Sequence, residues 1–289
     1  MRMLQKISKN AFIQVNMASC QKRLSLVVLF FIFLNSVVYG TSVDWTAYND
    51  CVTTAPHPNT TVFTDYRDYS GSTSGLLKND ATGSTAGMPT VTFTIPTESN
   101  IQPIIVFDYG TNPDLGTEAY EIFNGKVDFS GTILQHPTTY VGWFVEIEFT
   151  NLDPTKVYTF VGTAIRGGVY PDRITQCTIQ GADAFTNNSS DGIYLKSGDI
   201  TQYLAGDNSD EGYVVRWDDI DPGADGAFSI YTESASANDR YGYPLHGFML
   251  QQVGNGSSNF APVVDAGADQ MTTLPRQYLT LNGSVSDDS

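Results

Sequence analysis

The part of the sequence best suited to hold a metal ion is an acidic stretch between two strand-like segments. Asp219, Asp221 and Asp225 lie within seven residues, and Pro222-Gly223 bends the chain between them. Ca²⁺ prefers carboxylate oxygens presented by such a loop. The pattern departs from the EF-hand loop, because its fifth position is Gly223 and no Glu closes it. The sequence therefore leaves two interpretations of this stretch open, a Ca²⁺ site and a solvated hairpin turn.

A second group of residues combines aromatic rings with charges in loop-like sequence. Its members are Tyr170, Asp172, Arg173, Arg240, Tyr241 and Tyr243. An aromatic ring packs against the apolar face of a sugar, while charged groups bond its hydroxyls, and such mixed linings are typical of ligand sites. These residues are our candidates for carbohydrate binding. The alternatives are that the aromatic residues belong to the core, and that Arg166 and Arg173 form structural ion pairs with carboxylates.

Motifs for catalysis are missing from the sequence. It contains no G-x-S-x-G elbow, no H-E-x-x-H pair and no phosphate-binding glycine loop. A glycosidase needs only two carboxylates, so a carboxylate pair drawn from Glu118, Glu121, Glu146 and Glu148 stays open. However, Glu146 and Glu148 alternate with apolar residues, which is typical of a solvated strand face. We therefore predict a protein that is not an enzyme.

The first 40 residues have the chemistry of a secretory signal peptide. Lys22-Arg23 precedes an unbroken apolar run at 26–34, and Val38 and Gly40 suit a cleavage site after Gly40. The run is shorter than the ~20 residues that span a bilayer, which disfavours the alternative of an uncleaved anchor. Met17 is an alternative start. We predict secretion or display at the cell surface, with no membrane span after cleavage.

Secretion places the remaining cysteines in an oxidising compartment. Cys51 and Cys177 form an even pair after the signal peptide, so we predict a disulfide between them, with two buried thiols as the alternative. N-glycosylation sequons begin at Asn59, Asn187, Asn188, Asn255 and Asn282. All five lie in polar, turn-like sequence, which is where a glycan is tolerated.

The elements that must position these residues are almost all β-strands. Alternation of apolar and polar residues, or short apolar runs between turn signals, predicts strands at 91–95, 144–150, 156–165, 173–179, 212–217, 227–232 and 246–253. Many short strands with such punctuation predict a sandwich or barrel. The exception is a short helix at 117–125, which Thr117 caps and Gly125 ends.

Two segments resemble known families. The run "EFTNLDPTKVYTFVGTAIRGG" and the later "HGFMLQQV" resemble paired and closing strands of galactose-binding-like jelly-roll domains, over roughly residues 85–253. That resemblance implies an extracellular jelly-roll β-sandwich, often a carbohydrate-binding one. The segment 262–289, with "PVVDAGADQ", Leu274-Pro275 and "LNGSVSDD", resembles the start of a PKD-type immunoglobulin-like domain. Only about a third of such a sandwich is present, so we expect a truncated module.

The predicted organisation is therefore all-β. It comprises a signal peptide at 1–40, a jelly-roll β-sandwich at 41–254, a linker at 255–261 and the truncated start of a PKD-like domain at 262–289.

Charge narrows the classes of partner. The chain has 289 residues, with 15 Lys and Arg against 31 Asp and Glu. The five basic residues of the first 40 leave 10 basic against 31 acidic groups, so the rest carries about −21. That charge argues against binding nucleic acid or anionic lipid. We predict a noncatalytic module that binds carbohydrate or extracellular matrix, or a cell-surface protein. Alternatives are a structural or adhesive spacer and the N-terminal accessory region of a secreted hydrolase.

Overall fold

The computed structural model describes residues 44–51, 55–63, 71–95, 105–135, 143–235, 241–255, 263–265 and 284–286. All of them belong to the unit Val43–Ser289. The predicted signal peptide at 1–40 and most of the linker at 255–261 lie outside the described residues. No helix within the described ranges is long and apolar enough to cross a membrane.

The regular structure of the described residues is almost entirely β, which confirms the predicted class. One helix, α1, spans Glu118–Phe123. In chain order the strands are β1 Thr46–Asp50, β2 Thr61–Val62, β3 Gly71–Leu76, β4 Thr90–Ile95, β5 Ile105–Gly110, β6 Gly131–Gln135, β7 Phe144–Thr150, β8 Lys156–Thr163, β9 Ile174–Gln180, β10 Ala184–Asn187, β11 Leu195–Ser197, β12 Ile200–Leu204, β13 Val215–Asp221, β14 Phe228–Ser234, β15 Gly247–Asn255, β16 Val263–Asp265 and β17 Ser284–Ser286.

Two large sheets dominate the fold. A six-stranded sheet has the order β10-β13-β8-β15-β1-β2, and a seven-stranded sheet has the order β11-β12-β9-β14-β7-β4-β3. The central strands β7, β8, β9, β13, β14 and β15 all pair antiparallel with their neighbours. Two further pairs, β5 with β6 and β16 with β17, stand as separate two-stranded sheets.

The apolar faces of the two large sheets pack on each other as a β-sandwich. In β7, Val145, Ile147 and Phe149 are fully buried, because every second side chain of a strand points to the same face. The Phe149 ring lies 5.8 Å from Phe160 of β8 and 5.3 Å from Phe248 of β15, centroid to centroid. Aromatic rings from both sheets thus form the centre of the core.

The outer face of the six-stranded sheet is covered by α1. The Thr117 side chain accepts a hydrogen bond from the backbone N–H of Tyr120, which confirms the predicted N-cap. The helix buries Phe123 in a second apolar cluster with Val161 of β8 and Met249 of β15. Strand β8 is therefore buried on both faces over most of its length.

The predicted disulfide between Cys51 and Cys177 is not formed, and each residue is a separate buried thiol. Cys51 follows β1 in the six-stranded sheet, where its Sγ accepts a hydrogen bond from Asn49 at 3.4 Å. Cys177 lies in β9 of the other sheet, with its Sγ 3.7 Å from the Thr232 hydroxyl. Both thiols are buried in the core between the sheets, where Cys packs as a small apolar side chain.

Candidate ligand-binding site

Three loops meet at one end of the sandwich. They connect β8 to β9, β12 to β13, and β14 to β15, and the described part of the third is 241–246. Backbone hydrogen bonds join them: the N–H of Ala205 donates to the Arg173 carbonyl at 3.0 Å, and the N–H of His246 donates to the Thr163 carbonyl at 2.8 Å. Because these strands end or begin at the same end of the sandwich, residues that are distant in the sequence come into contact there.

Arg166 lies at the inner side of this loop end. Its backbone forms a bridge with Gly110, and its side chain is largely buried. The guanidinium carbon lies 3.6 Å from the centre of the Tyr170 ring, a close cation–π contact. Its Nη1 donates a hydrogen bond to the hydroxyl of Tyr243, which is fully buried. Arg166 therefore joins the β8–β9 loop to the segment before β15.

Arg173 lies further toward solvent and repeats this arrangement. Its guanidinium carbon is 3.7 Å from the centre of the Tyr241 ring and 5.7 Å from that of Tyr170. Its Nε lies 3.6 Å from an oxygen of Asp172, whose side chain is 60% exposed. Rings and guanidinium groups therefore alternate in what we call the Arg–Tyr cluster, comprising Arg166, Tyr170, Asp172, Arg173, Tyr241 and Tyr243.

The electrostatics of the cluster follow from burial and from the two cations. Burial raises the pKa of Tyr243 above its usual value, although Arg166 and Arg173 act in the opposite direction. Nε and Nη1 of Arg173 are buried and, among the described residues, have no hydrogen-bond partner. The guanidinium is thus held mainly by ring faces and by its ion pair with Asp172. This ion pair fits the structural role that the sequence left as the alternative.

Five of the six predicted ligand-binding residues come together in the cluster, and the sixth, Arg240, lies outside the described residues. They differ in access to solvent. Tyr170 and Tyr241 are half-buried and Asp172 is exposed, whereas Tyr243 is fully buried. Tyr170, Asp172 and Tyr241 are therefore the residues placed to touch a ligand, while Tyr243 supports Arg166.

Two residues that position the cluster were missed by the sequence interpretation. Gly206 packs so closely that an added Cβ would lie 2.4 Å from Cβ of Arg173 and 2.7 Å from the Tyr170 carbonyl oxygen. Asn208 is fully buried and hydrogen-bonds to the backbone of Tyr213 at both its amide nitrogen and its oxygen. The only signal for them in the sequence is the turn-like run Gly206-Asp-Asn208, which does not reveal what they contact.

The predicted calcium residues do not form a cation site in the described structure. Within the described ranges, no group of three or more His, Cys, Asp or Glu side chains is arranged to hold a metal ion. Asp219 has a φ of 52° at a register shift in β13, and Asp221 accepts a hydrogen bond from the N–H of Gly223 at 2.9 Å. Asp225 is exposed in the following turn. The acidic stretch is a bulge and a hairpin turn, which was the alternative interpretation.

A cleft of roughly 490 Å³ lies beside α1 and is also in the size range of ligand pockets. Its walls include the buried rings of Phe123 and Phe129. Two of its polar side chains are already engaged in holding the loop: Asn112 accepts from the N–H of Phe129, and Asp128 accepts from both the N–H and the hydroxyl of Ser130. These groups stabilise the cleft wall, so we rank the cleft below the Arg–Tyr cluster.

The sequons differ in how their amides are used. The two N–H groups of the Asn187 amide are shared among oxygens of Gly198, Ile200 and Thr201, and the Asn59 amide nitrogen donates to the Asp80 carbonyl at 2.8 Å. Asn188 is exposed, and its amide nitrogen donates to Asp218. A glycan therefore fits best at Asn188. Asn282 lies outside the described residues, as does the side chain of Asn255.

Comparison with models of protein families, with curated proteins and with solved structures finds no match to this chain.

Proposed function

We propose that this chain is a secreted or cell-surface module that binds carbohydrate without catalysis, through the Arg–Tyr cluster. The observation that carries the proposal is the gathering of Tyr170, Asp172, Arg173 and Tyr241 at one loop end, from segments about 70 residues apart. Half-exposed rings offer apolar faces and edges, and the exposed carboxylate offers acceptors for hydroxyl groups. Together these make the mixed lining that a saccharide requires.

We propose further that the sandwich is a jelly roll. Strands β7, β8, β9, β12, β13, β14 and β15 follow one another in the chain while mostly alternating between the sheets. The inner orders β1-β15-β8-β13 and β7-β14-β9-β12 support two four-stranded sheets of that type. The segment 262–289 is proposed to begin a PKD-type domain. Its sequence resemblance supports this, and β16 and β17 pair antiparallel within it.

Side chains that are held by their neighbours favour binding over catalysis at this end. Arg166 and Arg173 each have a ring centre within 4 Å, and Gly206 lies so close to Arg173 that an added Cβ would be 2.4 Å from its Cβ. A preorganised site loses less side-chain entropy when a ligand binds. The only carboxylate of the cluster, Asp172, is exposed and paired with Arg173. A glycosidase needs a second carboxylate facing it, and the cluster contains none.

The test is a panel of neutral and acidic polysaccharides probed with the secreted full chain. Three proteins are compared: wild type, Tyr241→Ala, and the control Tyr194→Ala, whose ring is 59% exposed just before β11. We expect wild type and the control to bind one sugar class. Tyr241→Ala should bind at least tenfold more weakly, which corresponds to about 1.4 kcal/mol.

A blank panel from folded protein would overturn the proposal and leave a structural or adhesive spacer as the function. Equal losses in Tyr241→Ala and Tyr194→Ala would show that sugar is bound, but not by the Arg–Tyr cluster.

A further inference from the structure

The outer face of the seven-stranded sheet carries an ordered set of polar and aromatic side chains. The register aligns Gln202 of β12, Gln176 of β9, Glu233 of β14 and Phe144 of β7 in one row across four strands. With strands ~4.8 Å apart, this row spans roughly 14 Å. Each of these side chains is half-buried, because its neighbours along the strand point into the core.

Hydrogen bonds connect the three polar side chains of this row. The Gln202 amide nitrogen donates to the Gln176 amide oxygen at 2.6 Å, and the Gln176 nitrogen donates to a Glu233 oxygen at 2.7 Å. Among the described residues, the Gln202 oxygen and the second Glu233 oxygen have no partner. The row is therefore a fixed series of side chains with acceptors still available at its surface.

An aromatic pair lies beside the row. The Phe144 and Tyr231 rings are stacked, with centroids 4.8 Å apart and planes 22° apart. Tyr231 aligns with Glu146 in the next row, and its pKa is raised by burial and then by the nearby carboxylates of Glu233 and Glu146. The pair thus presents its unstacked ring faces and ring edges beside the carboxylates of Glu233 and Glu146.

The two sheets differ in what their outer faces carry. The described residues form two apolar clusters, one between the sheets and one between α1 and the six-stranded sheet. The outer face of the seven-stranded sheet has no such cover among the described residues. Its charged groups on β7 and β14 are Glu146, Glu148 and Glu233. A negatively charged partner is repelled by these carboxylates, whereas sugar hydroxyls can donate to them.

We infer that this face, defined by Phe144, Glu146, Gln176, Gln202, Tyr231 and Glu233, is a second binding surface, and that its ligand is a neutral linear polysaccharide lying across the strands. The inference rests on the proposed carbohydrate function and adds a ligand class and a location to it. The aromatic pair packs against the C–H face of one sugar ring. The amide and carboxylate row bonds the hydroxyls of neighbouring rings, so affinity rises with the length of the saccharide.

The experiment is affinity electrophoresis of the full chain in gels containing a neutral linear β-glucan or a uronic-acid polymer. The variants are Tyr231→Ala, Gln176→Ala, the outward-facing control Thr92→Ala on β4, and Tyr241→Ala at the loop end. Circular dichroism checks that each variant is folded. We expect the neutral polymer to retard wild type and Thr92→Ala, and Tyr231→Ala to lose at least tenfold in affinity. Gln176→Ala, the milder change, should lose several-fold and keeps the inference testable if Tyr231→Ala unfolds.

Three results would overturn the inference: no retardation of wild type by the neutral polymer, equal retardation of wild type and both face variants, or stronger retardation by the uronic-acid polymer. Loss in Tyr241→Ala alone would retain the Arg–Tyr cluster as the sugar site and reject the sheet face. Loss in Tyr231→Ala and Gln176→Ala alone would support the sheet face and reject the cluster.

Discussion

Replacing Asn208 with Asp tests whether the β12–β13 loop is held by the buried amide that the structure places there. The Asn208 nitrogen donates to the Thr163 hydroxyl and the Ala164 carbonyl, each at 3.1 Å, and to the Tyr213 carbonyl at 3.0 Å. Its oxygen accepts from the N–H of Tyr213 at 2.7 Å. Because the amide nitrogen has two N–H groups, these three acceptors share two donated bonds. Asn208→Asp keeps the shape of the side chain and the bond from the N–H of Tyr213, but it replaces the donated bonds with contacts between oxygens. Asn208→Ala removes the donated and the accepted bonds.

The magnitude follows from the number of bonds and their burial. A net contribution of ~0.5–1.5 kcal/mol per bond gives about 1.5–4.5 kcal/mol for two donated bonds and one accepted bond. Thr163 and Tyr213 keep their own hydrogen bond, which brings the loss for Asn208→Ala to the lower half, ~1.5–3 kcal/mol. Asn208→Asp should lower the free energy of unfolding more than Asn208→Ala at neutral pH. It keeps the bond from the N–H of Tyr213, but a buried negative charge facing carbonyl oxygens costs more than that one bond contributes.

The stability that Asn208→Asp loses relative to wild type should increase as the pH rises. Burial beside three oxygens raises the folded-state pKa of the introduced Asp above its unfolded value of ~3.9. The variant is therefore relatively most stable at low pH, where both states are protonated, and loses stability as the pH rises through the folded pKa. Each unit of that rise corresponds to about 1.4 kcal/mol.

The assay is urea unfolding of wild type, Asn208→Ala and Asn208→Asp at pH 5 and pH 8, both above the isoelectric point of about 4.3. We expect the difference in free energy of unfolding between wild type and Asn208→Asp to be smaller at pH 5 than at pH 8. The difference between wild type and Asn208→Ala should be the same at both pH values. Two results would refute the reasoning. One is a loss in free energy of unfolding for Asn208→Asp that does not depend on pH, and the other is a loss at pH 8 that is smaller than the loss for Asn208→Ala.

Three further predictions concern the core, the thiols and the sequons. Phe248→Ala should lower the free energy of unfolding by ~3–5 kcal/mol in denaturant titration, because the ring is fully buried between the sheets; a loss below 1 kcal/mol would contradict the sandwich. Burial raises the pKa of the Cys177 thiol to about 12, so mass spectrometry should find it unmodified by iodoacetamide at pH 8 in native protein and alkylated in urea; alkylation of native protein would contradict its burial. In a glycosylating host, peptide mapping should find the glycan on Asn188, and a glycan on Asn187 would show that the hydrogen bonds its amide nitrogen donates are dispensable.

Seven strands, β4, β7, β8, β9, β13, β14 and β15, and the helix could be predicted from the sequence because their signals are local, whereas strands such as β1, β3, β10 and β12 were missed. Alternation in 144–150 identifies both the strand and its outward residues: Glu146 is half-buried and Glu148 exposed, while Ile147 between them is fully buried. The N-cap at Thr117 is likewise a local signal, because its side chain bonds to the backbone N–H of Tyr120, three residues later. Such signals arise from the chain's own neighbours, so the tertiary structure does not alter them.

The predictions that failed depended on distances that the sequence does not contain. An even number of cysteines suggested a disulfide, but Cys51 and Cys177 lie on different sheets as separate buried thiols, and the polar neighbour of each sulfur comes from its own sheet. The density of acidic residues suggested a calcium loop, but the bulge at Asp219 and the turn at Asp221 leave no group of carboxylates that could hold a metal among the described residues.

The candidate site could be predicted only in part. Tyr170, Arg173 and Tyr241 could be selected from the sequence as loop residues of suitable chemistry. Their stacking could not, because it depends on the topology that places the β8–β9 loop against the segment before β15. The role of Gly206 is hidden for the same reason, since its contact with Arg173 is made across two loops.

The central claim, that the loop end binds carbohydrate, is tested most directly by amide hydrogen exchange of the full chain with and without a short oligosaccharide of the sugar class it binds. The account predicts new protection in segments 166–173 and 241–243, and unchanged exchange in the exposed hairpin strand β11. Protection confined to other parts of the chain, or none at saturating oligosaccharide, would contradict it.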